Sequence, residues 1–148
     1  MGYSGSYCAG ARRYFVRFLL PLVCIACATS RPLATNWSAA RSERPHGATV
    51  YARNCASCHG TQGEGSRGVP ELVGETSLPL RNPRRQPFRT ALDLHDYVAK
   101  WMPLPPGRVG SLTDREYWSV VEFLLLARGV KLPARGLGPT NAGQIRIN

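Results

Sequence analysis

Five consecutive residues, Cys55-Ala56-Ser57-Cys58-His59, limit what this chain can become more than any other stretch of its 148 residues. C-x-x-C-H is the haem-attachment pattern. Two thiols add across the two vinyl groups of one haem, and the histidine directly after the second cysteine reaches the iron from the same edge. Other uses of paired cysteines fit less well. A zinc site wants about four nitrogen or sulfur ligands, and past the first 28 residues the chain holds two cysteines plus His46, His59 and His95. A thioredoxin-like pair wants a βαβ setting, and no parallel-strand pattern flanks this one. A plain disulfide gives no reason for the adjacent histidine.

The N-terminus bears on where such a group could be attached. Arg12, Arg13 and Arg17 form a basic region, and Phe18 to Ala28 is uncharged and mostly apolar. Ala26-Cys27-Ala28 is a small-x-small site, so residues 1–28 read as an export signal cleaved after Ala28. A retained anchor helix and a lipoprotein cut at Cys27 are the alternatives. Arg12-Arg13 also looks like a twin-arginine signal, although paired arginines are common in any such region. Cleavage would remove Cys8, Cys24 and Cys27, leaving Cys55 and Cys58, and would lower the formal charge of +10 by three. No apolar run reaches the 18 or so residues of a membrane span. Nucleic acid is a poor partner for this basic chain, because export removes it from the cytoplasm and no basic helix or stacking platform is present.

The flanks of the motif extend the pattern. Upstream, His46 to Asn54 can form a short helix offering Val50 and Tyr51 to one side. Downstream, four glycines in nine residues (Gly60, Gly63, Gly65 and Gly68) let backbone pass where side chains would collide. The stretch YARNCASCHGTQGEGSRGVPEL resembles the class I c-type cytochromes. That resemblance implies an all-α fold of about three to five helices wrapped around one covalent haem. It makes Cys55 and Cys58 the thioether residues and His59 the proximal iron ligand. It also implies that the carbonyl of Pro70 accepts a hydrogen bond from His59, fixing its tautomer.

The other face of the iron needs a donor, and the candidates are Met102, His95 and His46. Apart from Met1, Met102 is the only methionine. It follows a stretch, Ala91 to Trp101, with helical spacing at Leu94, Tyr97, Val98 and Trp101, and Pro103 then ends the helix. A lone methionine is otherwise core filler. A helix running into Met-Pro is similar to the family's distal segment, which makes Met102 the expected ligand. His95 comes second, expected to be solvated beside Asp93 and Asp96. His46, on the proximal-side helix, comes last. With His and Met both bound, no substrate meets the iron without displacing Met102, and the thioether raises the reduction potential. One-electron transfer, not catalysis, is the expected task.

The remaining chain reads as one domain at residues 46–132, with a linker at 29–45 and an irregular tail at 133–148. Thr113-Asp114-Arg115-Glu116 is a capping box. It opens a helix with an apolar stripe at Tyr117, Val120, Val121, Leu124 and Leu125 that ends at Gly129. Trp118 sits at the margin of that stripe as packing. Arg81, Arg84, Arg85 and Arg89 form the densest positive patch, either a solvated loop or a docking face for redox protein partners. The expected protein is an exported, periplasmic mono-haem electron carrier. A haem subunit of a larger dehydrogenase, oxidase or reductase is the runner-up, and a haem sensor or peroxidase-like protein with a labile Met102 stands behind it. Membrane attachment follows only if the N-terminal segment is retained or lipidated.

Overall fold

The computed structural model of the protein describes residues 36–74, 86–104 and 108–147. The export signal at 1–28, the start of the linker, and Arg81, Arg84 and Arg85 lie outside the described residues. Among the described residues there are five α-helices and no strand: α1 (Trp37–Glu43), α2 (Pro45–Asn54), α3 (Ala56–His59), α4 (Ala91–Trp101) and α5 (Asp114–Ala127). A single 3-10 turn, Ala142–Gln144, follows. None of these helices is long and apolar enough to cross a membrane.

Helix α5 is the element the others pack against, touching α1, α2 and α4. Its start is the expected capping box, with Thr113 Oγ1 accepting from the Glu116 N–H and Glu116 Oε2 accepting from the Thr113 N–H at 2.8 Å. Its end is a Schellman motif. Gly129 takes φ +80°, its N–H donates to Leu126 O, and the Val130 N–H donates to Leu125 O at 2.9 Å. All five residues of the expected stripe are buried, but so are Trp118, Phe123 and Ala127. The helix is buried on two sides because two clusters flank it.

The first cluster joins α1, α2 and α5 through Trp37, Tyr51 and Phe123, whose rings meet edge-on or tilted at centroid distances of 4.7 to 5.7 Å. Helices α2 and α5 cross at Gly47. A Cβ there would lie 2.1 Å from the Ser119 carbonyl oxygen, so only glycine permits the contact. This corrects the linker expectation at its C-terminal end. Residues 37–43 are helical, and Trp37 and Ala40, three positions apart, face the core. A single tryptophan supplies most of the apolar surface that anchors so polar a helix.

The second cluster lies between α4, α5 and the C-terminal segment. It holds Phe88, Leu94, Trp118, Val121 and Leu125 together with Ala142 and Ile147. The irregular tail therefore contributes to the core. The Ala91 N–H donates to Ile145 O and the Ile147 N–H to Arg89 O, so residues 145–147 pair with the segment that opens α4. Glu122 ties both ends to α5, accepting from Arg44 Nε at 3.0 Å and from the Leu137 N–H. Helix α4 has a second capping box, in which Thr90 Oγ1 and the Asp93 carboxylate accept each other's backbone N–H.

Two expectations for α4 are corrected. His95 is not solvated: its ring is buried and stacks on Trp118 at 3.5 Å between centroids, with planes 8° apart. Its Nδ1 lies 3.2 Å from Asp96 Oδ1. Trp101 does not join the apolar stripe, since it is 51% exposed and carries the Lys100 ammonium 5.3 Å from its ring centroid. The helix stops at Trp101, before Pro103, while Val98 in the same turn packs against both clusters.

Candidate functional site

The Cys55-to-His59 segment sits at the junction of α2 and α3. Cys55 breaks the helix with φ −123°, its N–H still donating to Tyr51 O at 2.9 Å. The Cys58 and His59 N–H groups both donate to Cys55 O, closing one helical turn. That turn puts the two cysteines three residues apart on one short helix, with His59 directly behind. Both thiols are free. Burial, and then the negative charge Cys58 would carry, push the Cys55 thiol up to about 11.

The following loop folds back by its own backbone. The Gly65 N–H donates to His59 O at 2.7 Å and the Leu72 N–H to Gly63 O at 2.7 Å. Gly65 has φ +76°, and a Cβ there would stand 2.8 Å from the Glu71 amide nitrogen. This glycine serves the loop's own close approach. Glu64's own N–H and then those of Gln62 and Thr61 hold its exposed carboxyl below the usual range. Tyr51 Oη donates to Gly60 O at 2.7 Å, pinning the start of the loop to α2. Burial and the nearby Cys55 and Glu64 raise the pKa of that phenol.

The fold-back carries Pro70 over His59, whose Nδ1 lies 3.0 Å from the Pro70 carbonyl oxygen. A carbonyl only accepts, so Nδ1 carries the proton and Nε2 is left with the lone pair. His59 is itself buried, which fixes the ring.

Met102 stands at the C-terminal end of α4. It has an extended backbone (φ −121°, ψ 153°), and its N–H donates to Val98 O at 2.9 Å. Tyr117 Oη, from the first turn of α5, donates to Met102 O at 3.0 Å. At the other end of α5, the buried Arg128 donates from Nη1 to Leu72 O at 3.0 Å, so one helix braces both the Met102 segment and the loop behind His59. Burial lowers the Arg128 pKa, against the opposing pull of Glu71. Tyr117 and Arg128 were not legible as site residues, because each acts through a backbone carbonyl 15 or 56 positions away. His95 is occupied in the packing of α4 on α5, and His46 is exposed on α2. Arg89, the one member of the arginine patch described, is exposed.

The cytochrome c family model matches residues 45–127, more than half of the chain. The chain belongs to the cytochrome c family. As a cytochrome c domain it is built for haem-based electron transfer with covalently bound haem c, a carrier and not in itself a catalyst. Among solved structures, this cytochrome is similar to the sulfane dehydrogenase SoxCD from Paracoccus pantotrophus, with 27% identity and a TM-score of 0.54. The likeness covers 70% of this chain and 52% of that one, so the cytochrome spans about half the length of its structural relative. No curated protein matches the chain. The family match begins at the first residue of α2 and ends with α5, which leaves α1 and the C-terminal segment as additions to the cytochrome core.

Proposed function

We propose that the protein is an exported, periplasmic cytochrome that holds one haem c and passes single electrons between redox proteins. The observation that carries this reading is the 3.0 Å contact between His59 Nδ1 and Pro70 O, immediately behind the two free thiols. It leaves Nε2 as an oriented neutral donor, which is what a proximal iron ligand needs. Cys55 and Cys58 hold the group by thioethers, His59 is the proximal ligand and Met102 the distal one. The haem, when bound, supplies the one-electron couple. The chain's part is to orient both donors and to cover the apolar ring system. Trp101 and Leu104, on either side of Met102 in the chain, are each 51% exposed, and a bound apolar group would cover such side chains.

A second reading is supported by the SoxCD likeness: a haem domain fixed within a larger dehydrogenase, oxidase or reductase. Under either reading, redox partners dock by charge, and Arg89 with Arg81, Arg84 and Arg85 is the patch proposed for it. The test is a potentiometric titration of the purified protein followed by its absorbance. A single one-electron transition, from one haem per chain that denaturation and acidic solvent do not release, is expected. Two transitions, or a haem that extracts freely, would overturn the proposal.

A further inference from the structure

We infer that Tyr117 is the positioning residue for the distal donor, holding the Met102 peptide so that the thioether stays on the iron. The inference rests on the His59 and Met102 ligation proposed above. Both polar groups of the Met102 residue are bound: the N–H by Val98 O of α4, and the carbonyl by the Tyr117 phenol of α5. Between those two anchors the side chain leaves an extended backbone, and the buried Pro103 follows at once. The first bond only continues α4, and any residue would make it. The second depends on one hydroxyl, delivered from another helix. Tyr117 is 5% exposed, and the His95 ring stands edge-on to it at 6.5 Å, so packing holds the aromatic ring without help from the hydroxyl.

Release of the thioether by a shift of residues 102–104 would carry the Met102 carbonyl away from the phenol. The hydrogen bond would then favour the ligated arrangement. A neutral hydrogen bond of this kind corresponds to a change of about fivefold in such an equilibrium.

The experiment uses the full chain, exported alongside haem-attachment machinery. Ferric protein is titrated with imidazole, a competitor for the distal position, and followed by loss of the methionine–iron charge-transfer band. Tyr117→Phe keeps the ring and removes the hydroxyl, and is expected to bind imidazole about fivefold more tightly than the unsubstituted protein. Asn141→Ala is the comparison. It deletes the buried side chain that binds Gly136 O and the Gly138 N–H within the tail, and so costs stability away from Met102. Its imidazole affinity is expected to stay unchanged while its denaturation midpoint falls. An unaltered affinity in Tyr117→Phe overturns the role of Tyr117 alone. An equal rise in both variants also overturns it, since general loosening then explains the effect. Absence of the band from the unsubstituted protein overturns the Met102 assignment, and this inference with it.

Discussion

Gly47→Ala is expected to destabilise the protein by about 2 kcal/mol, and Gly47→Val by about 3 kcal/mol or more. Helix propensity predicts the opposite sign, because alanine inside a helix is ordinarily better than glycine by about 0.5–1 kcal/mol. Packing decides. The added Cβ would stand 2.1 Å from the Ser119 carbonyl oxygen and 2.9 Å from Phe123 Cβ. Neither atom is the free end of a flexible side chain, so α2 and α5 must separate. Phe123 lies against Trp37 and Tyr51, and Tyr51 holds the loop beside His59, so the displacement reaches the site. Against a total stability of about 5–15 kcal/mol for a domain of this kind, the valine variant gives up a substantial share. Denaturant midpoints of the two variants measure it. A stabilised Gly47→Ala would contradict the crossing.

The second large effect is at Trp37, outside the family match. Trp37→Ala is expected to cost about 3–5 kcal/mol. Its ring is 6% exposed and stands 4.7 Å from Phe123 and 5.1 Å from Tyr51 by centroid. A residue of a solvated linker would change stability by no more than about 0.5 kcal/mol on the same substitution. Trp37→Phe refines the test. The indole Nε1 is buried without a hydrogen-bond partner among the described residues, so its removal relieves a cost of about 1–3 kcal/mol and offsets part of the lost packing. Thermal unfolding should rank the proteins unsubstituted, then Trp37→Phe, then Trp37→Ala. Equal stabilities for all three would return residues 37–43 to the role of a linker.

Local elements were more legible in the chain than the packing around them. Cys55, Cys58 and His59 announce themselves through spacing, and α5 through its capping box, apolar stripe and terminal Gly129, all of which are local signals. Pro70 was placed by resemblance, and the structure sets its carbonyl 3.0 Å from His59 Nδ1. The additions at either end were not legible for a physical reason. Helix α1 buries only Trp37 and Ala40, and the tail only Asn141, Ala142 and Ile147 among the residues after Leu132, too few to show a period. Both are secured by distant partners instead: α1 by the rings of α2 and α5, the tail by backbone bonds to Arg89 and Ala91. His95 was misread because its neighbours in sequence are acidic, whereas its neighbour in space is Trp118. Tyr117 was counted correctly as a core residue, yet its hydroxyl does more than fill space.

In the function proposed here, His59 and Met102 close both faces of the iron, and the cytochrome carries electrons without binding a substrate. Absorbance spectra of the haem-loaded protein test it most directly, recorded ferric, ferrous, and ferrous under carbon monoxide, with Met102→Ala measured alongside. The unsubstituted protein is expected to hold a low-spin covalent haem that shows the methionine–iron band and is indifferent to the gas, and Met102→Ala to lose the band and bind carbon monoxide promptly. Prompt binding by the unsubstituted protein, or spectra that Met102→Ala leaves unaltered, would rule out Met102 as the distal ligand and put a ligand-binding sensor or enzyme in place of the carrier.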